Sequence, residues 1–207
     1  MPKGRIMKYL AIDTSGAHLT VALTIDDKKY VNNDTKCGTQ HSVTLMAKLE
    51  ELLLNANASI ADLDFIACVT GAGSFTGIRI GISTAKALAY ASNKPCLAVT
   101  SFDTIAYNKP SGKVLAVIDA KHGHYYVAGY NDCKLDLAPS YVSHEELLSL
   151  ANEYELLSAD ELTVPFVKVS TADGLTKAVE DLSENKTLDL SAIVPLYIRK
   201  SQAEEGR

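Results

Sequence analysis

The sequence predicts an α/β protein of two related lobes, the second shorter than the first. Three observations predict it. An order of strand, strand, strand, helix, strand, helix runs once in full and returns in shortened form after Gly112. Two apolar runs, KYLAIDT at 8–14 and KVLAVID at 113–119, open the two copies, and in each the apolar stretch closes on an aspartate, Asp13 and Asp119. Between the copies lies Asn108-Lys-Pro-Ser-Gly112, the clearest break in the chain and rich in turn-forming residues. The lobes are therefore expected at 1–107 and 108–207, with the segment near 194–207 packing back on the first.

Each element has its own signal. The run 8–14 is a short apolar strand that ends in an Asp-Thr-Ser-Gly turn. HLTVALTI at 18–25 alternates apolar and polar residues as a half-buried strand does. Asp26-Asp27-Lys28 turns the chain into a return strand over 29–37. The period then changes: Leu45, Leu49, Leu52 and Leu53 share a helical face with Met46 nearby, and Ser42 is the expected N-cap. Phe65 to Val69 reads as a buried strand, 76–92 as a second helix closed by Asn93 and Pro95, 96–99 as a strand and 102–107 as a short helix. In the second copy, 125–130 and 134–142 read as strands. Ser143 with Glu146 forms a capping box for a helix over HEELLSLANEYE. A short strand at 196–198 precedes a charged end expected to fray. Met7 stands just before the first strand, so residues 1–6 receive no role in the fold.

Bulk properties exclude several classes. Hydrophobic residues make up 47% and charged residues 22% of the chain, as in a folded globular protein. A net charge of -5 disfavours a primary nucleic-acid binder, which needs clustered cations. Cys37, Cys68, Cys96 and Cys133 lie far apart with no metal-binding spacing, so they read as reduced, packed thiols of a cytoplasmic protein. No secretory leader or membrane span is expected.

GAGSFTGIRIG at 71–81 holds four glycines between a strand and a helix. It fails the P-loop pattern, since no Lys-Ser or Lys-Thr pair follows. It also departs from the dinucleotide fingerprint: Gly71 and Gly73 fit, but Thr76 stands in the third place and Gly77 comes one residue late. No nucleophile elbow surrounds Ser74. Gly71 and Gly73 are read first as permitting a tight turn, with Ser74 or Thr76 capping the helix; an anion-binding remnant is the alternative. Along the helix Gly77, Gly81, Ala85 and Ala89 recur every fourth residue beside the bulkier Ile78. Such a ridge admits a close neighbour, either the protein's own sheet or a partner helix.

GAGSFTGIRIGISTAKALA at 71–89 resembles the signature of the bacterial TsaB family, also called YeaZ. YLAIDTS at 9–15, QHS at 40–42, VIDAKHGHYY at 117–126 and PLYIRKS at 195–201 follow the family's order, so the resemblance spans nearly the whole chain. Ala72 departs from it, standing where the family usually carries proline. The resemblance implies the duplicated actin-like, sugar-kinase-like and heat-shock-ATPase-like fold. It implies a non-catalytic subunit that binds and activates a TsaD-like catalytic subunit. With a TsaE-like ATPase, that complex places a threonylcarbamoyl group on the adenosine beside the tRNA anticodon. ATP and metal are then expected on the partners, and tRNA is met only through the complex. The first two helices of the first lobe would supply the partner contact, through Leu45, Leu49, Leu52, Leu53, Gly77, Ile78, Gly81, Ala85 and Ala89.

The residues agree with a role that needs no catalytic group of its own. TsaD-like proteins carry a helical His-x-x-x-His metal site, and no pair among His18, His41, His122, His124 and His144 has that spacing. Asp13 and Asp119 stand where kinases of this fold place their acidic residues. Glycines are sparse around both, so Asp13, Thr14 and Ser15 read as a vestigial phosphate turn in which Asp13 bonds its own loop. The alternative is a small stand-alone phosphotransferase of the same fold. The leucine-rich first helix has more large apolar residues than one buried stripe needs, so the isolated chain is expected to pair with itself. Gly81→Leu is expected to abolish partner binding while leaving a folded protein.

Overall fold

The structure, a computed structural model, describes residues 7–35, 37 and 40–199. Residues 1–6 and the charged end beyond 199 lie outside the described residues. Alternation does not govern the middle of the first lobe. β1 (Tyr9–Asp13), β2 (Leu19–Ile25) and β4 (Phe65–Val69) are buried along their whole length, as strands covered on both faces must be. With β3 (Lys28–Asp34) and β5 (Cys96–Val99) at the edges, they form a sheet in the order β3-β2-β1-β4-β5. β1 runs antiparallel to β2 and parallel to β4.

The second copy repeats this plan. β6 (Lys113–Asp119) takes the place of β1, flanked by β7 (His124–Asn131) and β8 (Lys134–Ser143) on one side. β9 (Glu155–Ser158) and β10 (Val167–Lys168) lie on the other, giving the order β8-β7-β6-β9-β10. The antiparallel and parallel pairings also correspond. The structure is thus the two-lobed, duplicated actin-like arrangement. The shortening has a location: between β9 and β10 an irregular stretch replaces the long helix that joins β4 to β5.

Helices cover the sheets in an exchanged pattern. α1 (His41–Asn55) and α2 (Phe75–Ser92) lie on one face of the first sheet, where Leu45, Leu49, Ile78 and Ile82 pack on Leu10, Ile12, Val21 and Cys68. The other face is covered by α5 (Thr171–Asp181), from the second half of the chain: Leu175 and Val179 meet Tyr9, Phe65 and Val69. α3 (Ser101–Ala106), from the first half, packs Phe102 and Ile105 on Val114, Ala116 and Ala128 of the second sheet. α4 (His144–Leu150) covers the second sheet's far side through Leu147. The sheets divide between 1–107 and 108–207; helices α3 and α5 do not. The terminal segment crosses back to the first lobe, where Cys96 and Thr187 bridge, Ile193 joins the core and the Leu196 amide donates to the Thr70 carbonyl at 2.7 Å.

Three local expectations are corrected. Ser42 lies inside α1; Gln40 holds the N-cap position without a side-chain bond. α4 stops at Leu150, and 151–154 turn into β9. Residues 196–198 form no strand, because a single amide bond to Thr70 ties them to the first lobe. None of the sequence signals above points to α5, β9 or β10. The Ser143–Glu146 capping box is present as expected.

Candidate functional site

Two surfaces can carry function: the cleft between the lobes and the outer face of α1 and α2. The cleft begins at Asp13, where β1 ends. Its buried Oδ1 accepts from the Ser15 amide at 2.9 Å and the Ser15 hydroxyl at 2.7 Å. The carboxylate thus closes its own Asx turn. Ser101 donates its hydroxyl to Ser15 Oγ at 2.9 Å, extending the network to α3. Burial raises the Asp13 pKa; the Ser15 bonds and the nearby His18 and His41 only partly oppose it.

The glycine stretch is built against this turn. Gly71 and Gly73 have φ of 115° and 146°, conformations open chiefly to glycine. A Cβ on Gly73 would lie 2.2 Å from the Ser15 carbonyl oxygen, and one on Gly77 2.0 Å from that of Thr14. Ser74 donates its amide to the Ser15 carbonyl at 2.7 Å, and its hydroxyl caps α2 by accepting from the Gly77 amide at 3.2 Å. Thr14 returns a hydroxyl bond to the Gly77 carbonyl at 2.7 Å. What Gly73 and Gly77 receive is the backbone of the β1–β2 turn, whereas Gly71 faces Ile78 and the Leu196 carbonyl oxygen. Thr76 does not cap; it is exposed in the first turn of α2.

The pseudo-equivalent Asp119 repeats the device. Its carboxylate accepts from the Lys121 amide at 2.8 Å and the Lys121 ammonium at 2.6 Å. Partial burial pushes its pKa up, but the Lys121 bonds and charge outweigh this and leave it lowered. Between the two turns a cavity of about 60 Å³ is lined by Asp13, Ser15, His18, Gly73, Ser101 and Asp160, among others. One water takes roughly 10–15 Å³ on that scale, so the space suits a few waters. Among the described residues no group of three or more His, Cys, Asp or Glu could hold a metal ion. His122 and His124 do not converge: His124 Nδ1 lies 3.0 Å from the His122 carbonyl oxygen, and its ring stacks on Tyr141.

The second surface corrects the residues expected to meet a partner. Gly77, Ile78, Gly81, Ala85 and Ala89 are buried on the inner side of α2, facing their own sheet. A Cβ on Gly81 would stand 2.5 Å from Thr14 Oγ1. Leu45, Leu49 and Leu52 are likewise buried inward, and Leu53 is partly buried. The ridge therefore lets α2 settle on β1 and its turn. The free face carries other residues: Val43, Met46 and Leu54 on α1 are 78%, 51% and 79% exposed, and Tyr90 on α2 is 83% exposed. Between the helices a groove is lined by Met46, Phe75, Thr76, Arg79, Ile80 and Ser83, among others. Val43, Ala47 and Leu54 form a second apolar line on α1, readable from its period but masked by the stronger leucine stripe.

Known proteins match this arrangement. A family model described as "TsaD: tRNA N6-adenosine threonylcarbamoyltransferase" matches residues 33–166. The tRNA threonylcarbamoyladenosine biosynthesis protein TsaB of Bacillus subtilis is 30% identical, with 96% of each chain covered. The Escherichia coli protein of the same name is 29% identical over 95% of this chain and 96% of its own. The solved YeaZ structure from Pseudomonas aeruginosa superposes with a TM-score of 0.77 at 23% identity, covering 92% of this chain and 99% of that one. That likeness establishes the shared fold. A 30% identical relative matched from end to end, on a fold whose glycine turn and paired aspartate turns are all in place, makes this chain a member of the TsaB family.

Proposed function

We propose that this protein is a non-catalytic subunit in the formation of threonylcarbamoyladenosine in tRNA, the process its relatives carry in their names. It binds and stabilises a TsaD-like catalytic subunit and helps to recruit a TsaE-like ATPase. ATP and metal belong to those partners, tRNA is met through the complex, and the setting is cytoplasmic. No helix among the described residues is long and apolar enough to cross a membrane.

The observation that carries the reading is the uncovered apolar face of α1 and α2. Val43, Met46 and Leu54 stand exposed outside the chain's own core, and Met46 lines the neighbouring groove; apolar surface of this kind supports the reading of a protein contact. The cleft supports it from the other side, since the Asp13 carboxylate is engaged by its own turn. In isolation the same face pairs two copies of the chain. The test is titration of the cognate TsaD-like subunit, with tRNA modification as the second readout. Met46→Glu is expected to weaken pairing at least tenfold and to lower modification in parallel. Pairing at parental strength would refute this use of the face.

A further inference from the structure

The terminal segment touches both lobes through two similar fastenings. On the first lobe, Tyr197 stacks on Phe75 with ring centroids 4.8 Å apart, and the Arg79 guanidinium lies 3.8 Å from the Phe75 centroid. Arg79 Nε donates to the Tyr197 hydroxyl at 2.8 Å. On the second lobe, the Arg199 guanidinium lies 4.6 Å from the Tyr141 ring centroid, and its Nη1 donates to the Tyr141 hydroxyl at 2.8 Å. Tyr141 stands on β8, the edge strand of the second sheet. Between the fastenings, Leu196 and Ile198 pack against Ala72 and Phe102 and the second sheet's Ala116 and Ala128.

We propose that residues 194–199 are a strap that ties the lobes together and steadies the lip of the α1/α2 groove. Each fastening joins a flat cation to an aromatic face and to a tyrosine hydroxyl, which fixes angle as well as distance. Tyr141 also carries the His124 ring, 4.8 Å away and parallel to within 2°. These rings are engaged with one another, so the cluster works as a fastener and not as an open platform for nucleobases. Phe75 and Arg79 line the partner groove as well as holding Tyr197. Loosening the strap therefore frees the groove's lip and the lobe angle together. The groove half rests on the partner reading above; the tie between lobes does not.

Hydrogen exchange on the full chain tests the tie without any partner. The double variant Tyr197→Ala/Arg199→Ala is expected to raise amide exchange severalfold in the strap, in the cleft turns 71–74 and 119–124, and in the first turn of α2. A rise confined to 194–199 would overturn the proposal. If exchange also rises across β1 and β6, the variant has unfolded and Arg199→Lys decides. It keeps the charge but loses the planar stack, and exchange must rise at 119–124 with the β1 and β6 cores unchanged; no rise there overturns the tie. Binding of the TsaD-like subunit by the same variants is read separately. Weakened binding with raised exchange supports the coupling, and parental binding with raised exchange removes the groove half alone.

Discussion

A single carboxylate shows how the cleft is put together. Asp13 is buried, and one of its oxygens takes both Ser15 bonds. Its folded-state pKa is raised by burial above the unfolded value of about 3.9. The folded chain thus holds this proton to higher pH than the unfolded chain does, and stability falls as pH rises from about 4 through the raised folded value. Asp13→Asn keeps an oxygen able to accept both bonds and removes the titration. Its unfolding free energy, from urea curves at a series of pH values, is expected to fall less than the parent's from about pH 4 upward. Parallel pH profiles would contradict the burial argument. Glycine spacing makes a second residue-scale prediction. Gly77→Ala forces a Cβ to within 2.0 Å of a backbone oxygen, whereas the Cβ of Gly81→Ala meets a side-chain oxygen at 2.5 Å. The first is expected to cost about 1–3 kcal/mol and the second less, because backbone yields less readily than a hydroxyl. Gly81→Leu should then disrupt the fold instead of selectively abolishing partner binding. Urea midpoints give the ranking.

At the scale of elements, α1 and α2 each have two faces with different duties. Leu45, Leu49 and Leu52 bury one side of α1, and the small ridge of α2 brings its backbone against the β1 turn. The outer sides stay free, with Met46, Ile80 and Ser83 facing the groove. Ser83 is exposed and makes no core contact. Ser83→Arg should shift stability by no more than about 0.5 kcal/mol, yet bring the isolated chain to monomer in sedimentation at concentrations where the parent pairs. An unchanged sedimentation profile would place the contact elsewhere. α5 teaches the opposite lesson. Its Gly174, poor for helix propensity, sits mid-helix because a Cβ there would meet the Thr104 carbonyl oxygen of α3 at 1.8 Å. The residue that hides the helix from a propensity reading is the one that lets two helices touch.

Across the whole molecule, each half of the chain covers a sheet of the other. α3 and α5 are exchanged between sheets, so the first sheet loses one cover when the second half is absent. A fragment of residues 1–107 would expose Tyr9, Phe65, Val69, Leu97 and Val99, all buried in the intact chain. It is expected to bind an apolar dye and to lack a cooperative thermal transition; a sharp melt with no dye binding would show that the lobe is autonomous. The sequence by itself determined the duplication, the two aspartate turns, the strand meanders and the inner stripe of α1. Each of these is written in neighbours a few residues apart, through period, turn chemistry and capping. It also disclosed the small-residue ridge of α2, but not which way the ridge faces. Tertiary structure decided that direction, because the Thr14 carbonyl that Gly77 must clear comes from a turn 63 residues earlier. It also decided the exchange of α3 and α5 and the course of the terminal strap. Such contacts join residues remote in the chain, and local preference carries no information about which distant surface a segment will find.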